Sequence, residues 1–151
     1  MLRTVQALGL CVAAAGFAPA AAAQVLDAVY RGTLVCGDLP IGSGKNREAI
    51  EVTIKGGTVS FKHVVRLSNS VADANAEQGS GTLDGAKLEL QGSWKGSVYE
   101  YKATYGGTFV RRSAELKGTQ TWTDGNKSFS RSCAGSIKRN FKPLLPKTPA
   151  A

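Results

Sequence analysis

Residues 29–36, VYRGTLVC, and residues 128–137, SFSRSCAGSI, decide how this chain folds. In each short run one alternating phase is apolar or small, broken in the second only by Arg131, and each carries a cysteine on that phase. Such alternation marks a strand with one buried face. One run opens the folded region and the other closes it.

Six further strands lie between them: 49–55 (AIEVTIK), 58–65 (TVSFKHVV), 78–83 (QGSGTL), 87–94 (KLELQGSW), 98–106 (VYEYKATYG) and 113–122 (SAELKGTQTW). Gly56-Gly57, Asp84-Gly85 and Asp124-Gly125 are turns that need positive φ, and Lys95-Gly96 and Arg111-Arg112 are comparably short connectors. Short joints make neighbours in sequence neighbours in the sheet. The expected fold is therefore all-β, an antiparallel meander of about eight strands. A flat meander leaves two bare edges, and curling it until the first strand meets the last removes both. Glycines inside strands, at 32, 92, 118 and 135, suit the sharp bends of a small barrel. Two segments, GTLDGAKLELQGSW (81–94) and GTFVRRSAELKGTQTW (107–122), share a hairpin pattern that duplication and convergence explain equally well.

The compartment follows from the first 23 residues, MLRTVQALGLCVAAAGFAPAAAA. One basic residue, a short apolar run and small residues before Gln24 have the form of a secretory signal peptide. The alternative of a lipid anchor on Cys11 would require a small residue where Leu10 stands. Cleavage near Gln24 removes Cys11 and leaves Cys36 and Cys133, an even pair in an oxidising compartment. Their disulfide is expected to fasten the seam of the barrel. The domain layout is then a signal peptide (1–23), one barrel (24–139) and a basic, proline-rich, disordered tail (140–151). Periplasmic or secreted localisation follows, with no transmembrane segment after cleavage.

The chain carries 19 basic and 11 acidic residues, a formal charge of +8; loss of Arg3 with the leader leaves +7. An exported basic protein meets anionic envelope components before nucleic acid, which is not expected as a partner. The inward phase collects Ile50, Val52, Ile54, Val59, Phe61, Leu88, Leu90, Leu116 and Ile137, but also polar groups. Arg131, Gln120 and His63, with Tyr99, Tyr101, Tyr105, Trp94 and Trp122, are the candidate ligand-binding residues, because buried polar atoms need partners from one another, from water or from a ligand. No acid is expected on that phase to balance Arg131. An eight-stranded barrel is either filled by side chains or holds one small ligand.

Catalytic chemistry is not legible. His63 is the single histidine, no metal-ligand set can be assembled beside a disulfide, and Gly42-Ser43-Gly44-Lys45 lacks the spacing of a phosphate loop. Neither an enzyme, a cofactor nor a metal is expected. The sequon Asn126-Lys127-Ser128 falls in a tight turn.

The leader together with YRGTLVCGDLP (30–40), GSGTLDGAKLELQGSW (79–94), LKGTQTW (116–122) and SRSCAGSIKR (130–139) resembles small exported β-rich proteins of Gram-negative bacteria that carry no assigned function. The resemblance implies a periplasmic or secreted domain and supplies no catalytic residues. In architecture the chain is also similar to calycin-type barrels, where an arginine of the last strand packs on an aromatic of the first; Arg131 and Tyr30 would fill those places, although the opening Gly-x-Trp is missing. The functional expectation is a non-enzymatic barrel that binds a small, partly apolar molecule inside, or a macromolecule through the 37–48 and 66–77 loops. The alternative is a structural or envelope-associated protein held at anionic surfaces by its charge.

Overall fold

The computed structural model describes residues 27–39, 45–66 and 75–140. The expected leader, the expected tail beyond Asn140 and the middles of the two longest connections lie outside the described residues. Eight antiparallel strands form a closed barrel in sequence order: β1 (Ala28–Cys36), β2 (Asn46–Lys55), β3 (Thr58–His63), β4 (Glu77–Asp84), β5 (Lys87–Lys95), β6 (Glu100–Val110), β7 (Ser113–Thr123) and β8 (Ser128–Arg139). Closure comes from β1 pairing with β8, where Cys36 faces Cys133 and the two are joined by a disulfide.

The tight turns behave as the glycines require. Gly56, Gly57, Gly85 and Gly125 all have positive φ, between 55° and 90°. Arg111 adopts φ 61° without being glycine, in the β6–β7 turn. Several strand ends differ from expectation: β2 starts at Asn46 rather than 49, and β3 ends at His63 rather than 65. The segment 96–99 forms a connection, so β6 starts at Glu100 rather than 98 and continues through Gly106 and Gly107 to Val110. Likewise β8 runs on to Arg139, where Arg139 N–H donates to the Arg112 carbonyl.

Register fixes how wide the barrel is. Lateral partners lead once around from Val110 through Ser113, Lys138, Arg31, Glu51, Lys62, Gln78 and Ser93 to Lys102. The circuit returns to β6 eight residues from its start. Eight strands with a stagger of eight make a narrow barrel whose interior is filled by side chains rather than left as a pore. The core matches: Leu34, Val52, Leu88, Leu90, Leu116, Trp122 and Ile137 are fully buried and converge from opposite walls. The expected inward phase holds on every strand, with Tyr99 and Phe129 only half-buried at one rim.

The barrel has two unlike ends. The turn end carries the connections at 56–57, 85–86 and 111–112 together with the start of β1 and the end of β8, and its interior is apolar, with Tyr30 against Phe109 at 4.8 Å between ring centroids. The loop end carries the connections 37–45, 64–76, 96–99 and 124–127. Polar side chains concentrate just beneath it.

Candidate functional site

Glu77 is the centre of this polar cluster. It opens β4, is fully buried, and lies laterally opposite His63 of β3. Space for its carboxylate comes from Gly92, which lies laterally opposite Gly79. A Cβ on Gly92 would stand 2.6 Å from Glu77 Oε1 and collide with the Phe61 ring, so only glycine leaves both groups in place.

Glu77 Oε2 accepts from His63 Nδ1 at 2.8 Å, from the Tyr101 hydroxyl at 2.8 Å and from the Tyr105 hydroxyl at 2.9 Å. The Tyr105 oxygen in turn accepts from Gln120 Nε2 at 2.8 Å. Gln120 Oε1 receives Arg131 Nε at 2.8 Å and Trp122 Nε1 at 3.2 Å. Arg131 lies over the Trp122 ring, 5.0 Å from its centroid, and its Nη1 donates to the Gly37 carbonyl at 3.3 Å. An unbroken path therefore links guanidinium, amide, phenol and carboxylate. Around it stack Trp94, Tyr101, Trp122 and Phe129, with centroid separations of 4.5 to 6.4 Å.

The electrostatics follow from burial. Desolvation first, and then the charge of Glu77, push the Tyr101 and Tyr105 hydroxyls far above their ordinary range. Both remain protonated donors at any ordinary pH. Burial lowers the pKa of Arg131, while Tyr101, Tyr105 and Glu77 oppose that shift. Glu77 also overturns the expectation that no acid shares the inward phase. It sits one residue before the strand expected at 78–83, in step with Gly79, Gly81 and Leu83, so extending the alternation backwards by one position would have found it. Arg131 has its counter-charge inside the same wall-to-wall network, reached through Gln120 and Tyr105.

Seven of the eight candidate residues, namely Arg131, Tyr101, Tyr105, Trp94, Trp122, Gln120 and His63, meet in this interior. Tyr99 does not join them; it lies in the 96–99 connection, packs on the rim of the core and offers its carbonyl to Gly96 N–H. The pairing of Arg131 with Tyr30 is also corrected. Tyr30 is laterally opposite Arg139, well down the seam, and the aromatic beneath Arg131 belongs to β7. Three buried polar atoms have no partner among the described residues: His63 Nε2, Glu77 Oε1 and Trp94 Nε1.

Outside the barrel, charge is distributed unevenly. Ion pairs Arg31–Glu51, Arg66–Glu48, Lys87–Glu89 and Lys95–Glu100 neutralise parts of the walls. At the turn end one open concavity is lined by Val110, Arg111, Arg112, Ser113, Lys138 and Arg139, and the same end also carries Asp84 and Asp27, which accepts from Gly56 N–H. Among the described residues no three of His, Cys, Asp and Glu gather as metal ligands, and no helix is long and apolar enough to cross a membrane. Protein-family models, curated proteins and solved structures were all compared with the chain, and none matches; the barrel is loosely consistent with calycin-like architecture.

Proposed function

We propose that this chain is an exported, non-enzymatic barrel that acts by binding an anionic macromolecular partner on its outer surface. The observation that carries the reading is the filled interior. A stagger of eight leaves the barrel no ligand-sized lumen, and Arg131, the one interior guanidinium among the described residues, is already engaged by Gln120, Gly37 and Trp122. What remains available is the exterior, which is basic overall. The disulfide between the first and last strands supports an oxidising compartment. The test is binding of the mature protein to anionic vesicles and to an immobilised sulfated polysaccharide across a salt series. Affinity should fall steeply with salt, and absence of binding to both surfaces at 50 mM salt, a condition chosen to be about a third of physiological ionic strength, would sink the reading.

A second reading keeps a small, partly apolar guest at the loop end. Its support is the set of three unpartnered buried atoms on neighbouring strands, an imidazole nitrogen, a carboxylate oxygen and an indole N–H. Native mass spectrometry of protein taken from the producing cell, rather than refolded, decides it: a stoichiometric mass increment supports the guest, and a bare chain removes it.

A further inference from the structure

The outer wall formed by β5 to β8 carries a concavity of about 600 Å³ just below the loop end. Register arranges its outward side chains in two lateral rows. One row holds Lys95, Glu100, Thr123 and Ser128, and the next holds Lys102 and Thr121. Strands about 5 Å apart and rows about 7 Å apart make this a grid of hydroxyl and charged groups. The row beyond, Gln91, Thr104, Thr119 and Ser132, is uncharged and extends the grid with three more hydroxyls. Behind the concavity stand Trp94, Tyr101 and Trp122, whose rings stack at 4.5 to 5.7 Å and hold the strands in place from inside. Its charges do not cancel. Glu100 is held by Lys95 at 3.5 Å, whereas Lys102 makes no ion pair among the described residues. In the adjoining 124–127 turn, the Asp124 carboxylate accepts from the Asn126 and Lys127 N–H groups. Lys95, Lys102 and Lys127 thus stand against Glu100 and Asp124, three cations against two acids.

From this arrangement we infer that the β5–β8 wall binds an acidic polysaccharide, with sugar hydroxyls meeting Thr121, Thr123, Ser128 and Glu100 and an acidic group of the chain meeting Lys102. The inference rests on the reading that the exterior meets an anionic partner, and it names that partner. A hydroxyl both donates and accepts, so a grid of them suits a ligand built of repeated hydroxyls, while Glu100 accepts only and Lys102 donates only. Threonine is stiff at χ1, so these donors and acceptors lose little freedom when a ligand arrives. A protein partner would seek an apolar or aromatic anchor, which the exposed side chains of the concavity do not offer. Val98, 65% exposed, stands in the 96–99 connection beyond its edge. A lipid surface is excluded on the same ground, since it takes up apolar groups and this wall is concave and lined by hydroxyls.

The experiment measures binding of the mature, full-length protein to polygalacturonate, dextran sulfate, uncharged dextran and phosphatidylglycerol vesicles at one low salt concentration. Lys102→Gln with Thr121→Val removes a charge and a hydroxyl inside the concavity. Lys117→Gln with Thr108→Val makes the same change on the same two strands outside it. All four positions are exposed, so each pair should keep its melting temperature within about 4 °C. The expected result is about a tenfold loss of binding to the acidic polysaccharides for the first pair and less than about threefold for the second. Thr121→Val alone should cost about threefold, a loss that diffuse charge attraction does not produce. Amide NMR titration with short polygalacturonate fragments reads the site without any variant, and its shifts should gather on 93–95, 100–102, 121–123 and 128. Equal losses for the two pairs, no effect of Thr121→Val, shifts centred elsewhere, or equal binding to dextran overturn the inference. Binding to vesicles but to neither acidic polysaccharide overturns it while leaving the broader reading standing, and binding to none of the anionic probes overturns both.

Discussion

Replacing Glu77 by glutamine keeps shape and volume while removing one buried charge, so it isolates what the carboxylate contributes. Three donors converge on Oε2 at 2.8 to 2.9 Å. A hydrogen bond to a charged acceptor is worth about 1 kcal/mol more than a neutral one, which gives roughly 3 kcal/mol for the three. The new amide N–H2 would take the place of Oε1, which has no acceptor beside it, adding at least about 1 kcal/mol for an unsatisfied donor. A total of about 4 kcal/mol corresponds to a fall in melting temperature of about 16 °C for a domain of this size. Thermal unfolding at pH 7, followed by circular dichroism, reads it directly. The path from Arg131 to Glu77 adds a sharper test. In Arg131→Met the far end of that path is neutralised, so the double variant Glu77→Gln/Arg131→Met should cost at least about 1 kcal/mol less than the two single costs added together. A loss below about 4 °C for Glu77→Gln, or additivity of the pair within about 0.5 kcal/mol, would refute the charged, connected network.

Three more outcomes are expected. Thiol titration of the unfolded, non-reduced mature protein should find no free thiol, and Cys36→Ser/Cys133→Ser should lose about 4 kcal/mol in denaturant unfolding; two titratable thiols would end the seam argument. Tyr101 and Tyr105 have raised folded-state pKa values, so the folded state keeps protons that the unfolded chain releases above about pH 10. The stability they contribute is intact below that pH and declines above it, by up to about 2.7 kcal/mol per pH unit for both; Tyr105→Phe should roughly halve the slope, and an unchanged slope contradicts the assignment. Gly92→Ala should destabilise strongly, by more than about 3 kcal/mol, because its methyl has to displace the Phe61 ring and the Glu77 carboxylate together; a near-neutral result means the Gly79–Gly92 pair is looser than described.

Most of the wall structure was legible because a meander with short joints leaves register little freedom. Asp84-Gly85 and Asp124-Gly125 set two hairpins unaided, and alternation then placed Phe61, Leu90 and Trp122 inward. What failed lay where alternation stops being the governing signal. Glu77 follows a long connection with no turn residues of fixed geometry, so no turn marked where the strand starts, and only the alternation carried one residue further back reaches it. Tyr99 kept the inward phase on paper, but Gly96 and the Tyr99 carbonyl close a small loop instead, and the strand begins one residue later. The partner of Arg131 was misjudged for a different reason. A likeness between folds transfers a role, an arginine over an aromatic ring, without fixing which strand supplies the ring. Stagger is a property of all eight pairings together, so the choice between a filled and a hollow interior could not be read from any one strand.

The adjacency of Val29 and Asn140 separates the position of the disulfide from its effect on the unfolded chain. A linker of a few residues joining those two positions would make the backbone circular, and a cut between Leu39 and Lys45 would open it again with every strand pairing preserved. In that rearranged order Cys133 and Cys36 are about twenty residues apart along the chain instead of 97, yet they face each other across the same two strands. The same covalent bond would then restrict the denatured ensemble by about 3 kcal/mol rather than nearly 5. How much the bridge stabilises this barrel therefore depends on where the gene starts and ends, a quantity that evolution can change without moving a single folded contact.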